Sequence, residues 1–164
     1  MINKGGFLNP DSIISDLNLK PGSKVADFGS GSGYFALLLA KAVGPDGVIT
    51  AIDVLKEKLE TIKSGAQTQG LFNINYVLAN LEINGSSGLK EDSQDMVMLA
   101  NILFQSQKKE EIIKEARRVL KPGGELVVID WDQSSSFGPK ETGWKISKTE
   151  LQSLTTGLGF VFIR

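Results

Sequence analysis

The residues best suited to chemistry lie in one stretch, VADFGSGSGYFALLLA, residues 25–40. Three glycines, Gly29, Gly31 and Gly33, follow an acid, Asp27, with an apolar strand-like run before them and a helix-like run after. Glycine tolerates positive φ and has no Cβ to hold a ligand away. The helix that follows offers free N–H groups to a carboxylate or phosphate. A second acid, Asp53, closes the next apolar run, VITAI. One carboxylate there can accept hydrogen bonds from both hydroxyls of a ribose. Two cofactors fit these residues. Gly31-Ser-Gly33-Tyr-Phe-Ala36 satisfies the dinucleotide pattern G-x-G-x-x-A. Read from the acid, the same stretch is Asp27-x-Gly29-x-Gly31-x-Gly33, a different pattern, and Asp53 suits a ribose in either case.

Other chemistries are excluded by composition. The 164 residues contain no histidine and no cysteine. That removes disulfides, thiolate nucleophiles, thiol-based metal sites and histidine-dependent triads, and no metal site is expected. Acid–base work would fall to Asp, Glu, Lys or Tyr. Asp130, Asp132 and Glu141 lie near expected strand ends, but each also reads as a loop acid, and none is assigned a catalytic role.

The elements that position these residues alternate regularly. Asn9-Pro10 starts a helix, as cap and first helical residue. Strands are expected at 24–28, 48–52, 74–78, 96–100 and 126–130, and helices at about 34–43, 56–66 and 110–120. Lys121-Pro122-Gly123-Gly124 reads as a firm helix stop. Ser147 to Glu150 fits a capping box, with Ile146 and Leu151 as a hydrophobic staple, before a short helix. Phe160 to Ile163 reads as a final strand. The strands are continuous apolar runs, which indicates a mostly parallel sheet with both faces covered. The expected fold is thus α/β, Rossmann-like and doubly wound, with about six strands in one domain spanning 1–164. In such folds ligands bind beyond the C-terminal strand edge, where strand order reverses.

The chain is 41% hydrophobic with a net charge of −1, which disfavours an electrostatically driven nucleic-acid binder. No apolar run reaches the ~20 residues of a membrane span. MINKGGFLNP lacks the apolar core of a signal peptide, so a cytoplasmic protein is expected.

The acid–glycine string closing one strand, with an acid closing the next, resembles the class I S-adenosylmethionine-dependent methyltransferases. ANILFQSQKKEEIIKEARRVLKPGGELVVIDW, residues 100–131, resembles the small-molecule branch that includes the ubiquinone and menaquinone biosynthesis methyltransferases. Arg118-Val-Leu-Lys-Pro-Gly-Gly124 is close to that branch's helix stop. The likeness runs from about residue 20 to 131. It implies that Asp27 and the backbone of Gly29, Ser30, Gly31 and Gly33 hold the amino-acid end of S-adenosylmethionine. It implies that Asp53 takes the ribose, and that Val54 and Leu55 pack on the adenine. Asn80 stands where the family usually has an acid that receives the adenine amino group, and the Leu81 N–H would face a ring nitrogen. Ala100 and Asn101 would lie beneath the methionine portion and the transferred methyl.

Departures from the family bear on the acceptor. Phe104 and Gln105 stand where many relatives carry a histidine pair. Ile102 and Leu103 follow Asn101, where amino-group methyltransferases have two prolines. Arsenite methylation, which relies on cysteines, is excluded by composition. The family's closing antiparallel hairpin is shortened, leaving an open sheet edge through which a homodimer could form. Residues 1–19 and 131–146 remain to shape an acceptor pocket, with Trp131, Phe137 and Trp144 as its aromatics or as core. The reading that follows is methyl transfer from S-adenosylmethionine to a small-molecule or lipid-like acceptor. The alternatives are a cofactor binder without catalysis and a nicotinamide-dependent reductase.

Overall fold

A computed structural model describes residues 9–134, 136, 138 and 145–163. Five parallel strands form one sheet in the order β3-β2-β1-β4-β5: β1 (Lys24–Phe28), β2 (Val48–Asp53), β3 (Ile74–Leu78), β4 (Gln94–Ala100) and β5 (Leu120–Ile129). Among the described residues five α-helices precede, connect and follow them: α1 (Pro10–Asp16), α2 (Tyr34–Val43), α3 (Lys56–Thr68), α4 (Lys109–Val119) and α5 (Lys148–Gly157). A short 3-10 turn, Leu103–Gln105, lies between β4 and α4.

Both sheet faces are covered, as the apolar strand runs require. Val25, Ile49, Ala51, Met96 and Met98 pack with Leu39 and Ala40 of α2 and with Leu59 and Ile62 of α3. On the other face Ala26, Phe28, Ile52, Val97 and Leu99 pack with Ile112, Ile113, Ala116 and Val119 of α4. Leu151 and Leu154 of α5 and Leu158 just after it join that second cluster. The caps read from the sequence are formed. Asn9 Oδ1 accepts from the Asp11 amide at 3.0 Å, and Ser147 Oγ accepts from the Glu150 amide at 3.1 Å.

Two expectations need correction. The sheet has five strands among the described residues, and Phe160–Ile163 is not a sixth. Phe160 packs on the core, but Val161 and Ile163 are 85% and 78% exposed. Apolar β-branched character makes a strand only where a neighbouring ladder exists to pair with. The Lys121–Gly124 segment does follow the end of a helix, at Val119, but the fifth strand, expected over 126–130, already begins at Leu120, so the segment lies inside β5. Leu120 pairs with Gln94, and the ladder resumes at Met96 and Glu125 after a register shift. Pro122 is tolerated there because a bulge excuses it from ladder donation.

Strand order reverses between β1 and β4, each connected away to opposite sides of the sheet. The crevice beyond these strand ends is where a doubly wound sheet presents a ligand site.

Candidate functional site

At that edge lies a cleft of about 560 Å³. The glycine loop, the ends of β2 and β3, and the turn after β4 form its walls. Gly29, Gly31, Asp53, Val54, Asn80 and Leu81 line it, together with Leu55. These six expected site residues come from three separate strand ends, so the parallel sheet brings together what the chain separates. Asp27, Ser30, Gly33, Ala100 and Asn101 do not line the cleft.

The three loop glycines all have positive φ, at 72°, 51° and 84°, but they do different work. A Cβ on Gly29 would lie 2.6 Å from the Ile102 side chain, and one on Gly33 would lie 2.6 Å from Ile62. Those two glycines make room for packing. A Cβ on Gly31 would meet nothing within 4 Å, so Gly31 is the one of the three that leaves open space at the cleft. Its amide donates to Asp53 Oδ2 at 2.8 Å, and Asp53 Oδ1 accepts from the Leu55 amide at 3.0 Å. Each carboxylate oxygen retains a second acceptor direction for a ribose hydroxyl.

Ser30 sits behind the loop. Its hydroxyl donates to the Asp27 carbonyl at 2.7 Å and accepts from the Ile52 amide at 2.9 Å, joining the ends of β1 and β2. Asp27 is 1% exposed, and its Oδ2 has no hydrogen-bond partner among the described residues. Burial pushes its carboxyl up to about 7, and the Asp53 charge adds to the rise. A buried acceptor without a donor is costly. An ammonium group delivered to this loop would satisfy it.

Asn80 lies at the far end of the cleft. Its Oδ1 accepts from the Glu82 amide at 3.0 Å, the geometry of an Asx turn. Asn101 takes a left-handed φ of 55°, and its amide donates to the Ile129 carbonyl at 2.7 Å. That backbone reversal points the following residues at the cleft. Ile102, Gln105 and Ser106 line it, as do Lys58, Glu82 and Ile112. None of these six was expected as a site residue. Gln105 stood out in the sequence only as a departure from the family, and Ile112 only as core.

The strand-end acids are engaged by backbone. Asp130 Oδ2 accepts from the Leu103 and Phe104 amides at 2.9 and 3.3 Å, and Oδ1 accepts from Trp131 at 2.8 Å. Burial raises its carboxyl above the usual range while these amides and Lys109 oppose the rise. Asp132 accepts from both the amide and the hydroxyl of Ser134. Trp131 is half-buried and does not line the cleft. Glu141, Phe137 and Trp144 lie outside the described residues. Among the described residues no cluster of three or more acidic side chains is arranged to hold a metal ion.

A buried network the sequence did not announce supports the site from below. Glu115 of α4 is fully buried. It accepts from the Gly85 amide at 2.8 Å, the Ser87 hydroxyl at 2.5 Å and the Arg118 guanidinium at 2.7 Å. These partners hold its carboxyl down at about 2 against its desolvation. The network fixes the 83–89 loop onto α4, behind the wall formed by Asn80 to Glu82.

Comparison with known proteins agrees with this geometry. A methyltransferase-domain family profile matches residues 19–155. The chain is 27% identical over 132 residues to an arsenite methyltransferase of Halobacterium salinarum, covering 80% of this chain and 32% of that protein. It is 30% identical over 121 residues to the ubiquinone/menaquinone biosynthesis C-methyltransferase UbiE of Shewanella pealeana, covering 73% of this chain and 47% of that protein. The chain thus spans a third to a half of the length of these relatives. A solved S-adenosylmethionine-dependent methyltransferase from Aquifex aeolicus superposes with a TM-score of 0.83 at 25% identity, over 95% of this chain and 81% of that one. The acid–glycine loop, the second acid at the end of β2 and this family match together decide between the two cofactors left open by the loop alone: the chain belongs to the class I S-adenosylmethionine-dependent methyltransferases.

Proposed function

We propose that this chain binds S-adenosylmethionine in the 560 Å³ cleft and transfers its methyl group to a small-molecule or lipid-like acceptor. The observation that carries this reading is the combination at the cleft's inner end. Gly31 presents an open backbone face, Asp53 stands beside it, and Asp27 keeps an unpartnered buried oxygen behind. Asp53 would hold the ribose, Val54 and Leu55 the adenine face, and the Gly29–Gly33 backbone with Asp27 the amino-acid end. Asn80 and Leu81 would close the adenine end, and Ala100 with Asn101 would support the methionine portion through the turn they lead into.

When bound, the cofactor supplies a methyl group on a sulfonium, displaced in line with a good leaving group. The protein's task is then alignment and exclusion of water, which can supply most of the acceleration. A base is needed only if the nucleophile arrives protonated. Asp130 and Asp132, both occupied by amides, are not offered as that base.

The acceptor is narrowed by chemistry. The arsenite methyltransferase of Halobacterium salinarum matches 80% of this chain, but the chain has no cysteine thiolate to hold a soft metalloid. The C-methyltransferase relatives support an organic acceptor. No helix among the described residues is long and apolar enough to cross a membrane. The chemistry suits work in the cytoplasm, and the outer edge of β5, which has no strand partner among the described residues, suits pairing with a second copy. Transfer of a labelled methyl group into a metabolite extract tests the activity. Label in an organic product supports it, and binding without any transfer supports a cofactor binder instead.

A further inference from the structure

We propose that Asp130 is a positioning residue that caps, from the neighbouring strand, the turn forming one wall of the cleft. The proposal rests on the cleft being the cofactor site. The 3-10 turn Leu103–Gln105 is one turn long, and Ile102 at its N-cap makes no side-chain cap bond. The first amides of such a turn have no partner within it. Here the Leu103 and Phe104 amides both donate to Asp130 Oδ2, at 2.9 and 3.3 Å, across 27 and 26 residues of sequence. A charged acceptor makes these bonds stronger than neutral ones. The second carboxylate oxygen is fixed by the Trp131 amide at 2.8 Å, so the cap itself is held in orientation.

What this cap holds is functional surface. Ile102, just before the turn, fills the space above Gly29, and Gln105 and Ser106 line the cleft. The other end of the turn is tied by Ser106 Oγ donating to Glu82 Oε1 at 2.6 Å, so the segment is fastened on both sides. Releasing the Asp130 end frees Ile102 from the glycine loop without touching the cofactor. A wall displaced by a fraction of a side chain is enough to weaken a preorganised site.

The test combines amide exchange with calorimetry on the full chain. In ligand-free Asp130→Ala, exchange should rise at the Leu103 and Phe104 amides while β1 and β4 stay as protected as before. S-adenosylhomocysteine affinity should fall about tenfold or more, the scale for hydrogen bonds to a charged group. Asp130→Asn, which keeps one carbonyl acceptor, should recover affinity to within about threefold. Unchanged exchange at 103–104, a uniform rise over the whole sheet, or an Asn variant no better than Ala would each overturn the proposal. Should the Ala variant not fold, Asp130→Leu, which keeps the branched side-chain shape and removes both acceptor oxygens, decides in its place, and unchanged exchange at Leu103 and Phe104 there also overturns the proposal. Absence of S-adenosylhomocysteine binding by the unsubstituted chain would sink the cofactor reading, while the exchange arm still decides the cap.

Discussion

The amide of Gly31 donates to Asp53 Oδ2 at 2.8 Å, tying the middle of the glycine loop to the acid that ends β2. One carboxylate therefore shapes the loop, and in the proposed site it would also hold the ribose. Asp53→Ala should remove both functions and weaken S-adenosylhomocysteine binding by about 1.5–3 kcal/mol, the range for hydrogen bonds to a charged group. Isothermal calorimetry checks this, and an unchanged affinity would show that Asp53 does not hold the ligand.

Asp27 makes the site pH-sensitive. Its carboxyl is raised from 3.8 to about 7 by burial. The folded, ligand-free protein therefore binds this proton more tightly than the unfolded chain does. The associated stability is full below about pH 3.8 and is lost as pH rises through about 7. A ligand ammonium favours the ionised form, so binding should release a proton below pH 7. Affinity for S-adenosylhomocysteine should then rise by up to about tenfold per pH unit from 5 towards 7, and level off above. The Asp27→Asn variant should lose that slope. A wild-type affinity flat with pH would contradict the role given to Asp27.

The glycines should separate by phenotype. Gly33→Ala places a Cβ 2.6 Å from Ile62 at a φ of 84°, so it should destabilise the fold by about 1–3 kcal/mol through overpacking and strain. Gly31→Ala has open space and should cost about 1 kcal/mol from its left-handed φ alone. Its larger effect should fall on cofactor binding. Melting curves and titration of both variants test this. Equal losses of stability would argue that Gly31 is structural as well.

Glu115 should dominate stability away from the cleft. Glu115→Ala strips the Gly85 amide, the Ser87 hydroxyl and Arg118 of their acceptor, and should cost about 3 kcal/mol or more in urea unfolding. The sign with pH is opposite to that of Asp27. A carboxyl held at about 2 contributes stability above its ordinary 4.5 that is lost as pH falls through about 2. A variant as stable as the parent at pH 7 would show the network to be energetically neutral.

The strands were legible because a strand covered on both faces is a plain apolar run, buried as in VITAI or half-buried at the edge as in LVVID. The same rule misreads Phe160–Ile163, since pairing depends on a neighbour and not on residue type. The places of Asp27, Gly31 and Asp53 at the strand-end cleft were legible because acids and glycines closing apolar runs mark the C-terminal edge of such a sheet. Ile102, Glu82 and Ser106 were not, because a left-handed Asn101 and a cross-cleft hydrogen bond place them. Glu115 did leave a signal: an acid beside the apolar stripe of α4, three residues before Arg118. Asp130 was visible as an acid at a strand end, but only the fold shows that amides occupy its carboxylate.

The most direct test of the cofactor site is calorimetric titration of the chain with S-adenosylhomocysteine and, separately, with NAD at pH 7.5. The structure predicts saturable one-to-one binding of S-adenosylhomocysteine, weakened by about 1.5–3 kcal/mol in the Asp53→Ala variant, and no response to NAD. Saturable NAD binding with none for S-adenosylhomocysteine would contradict it.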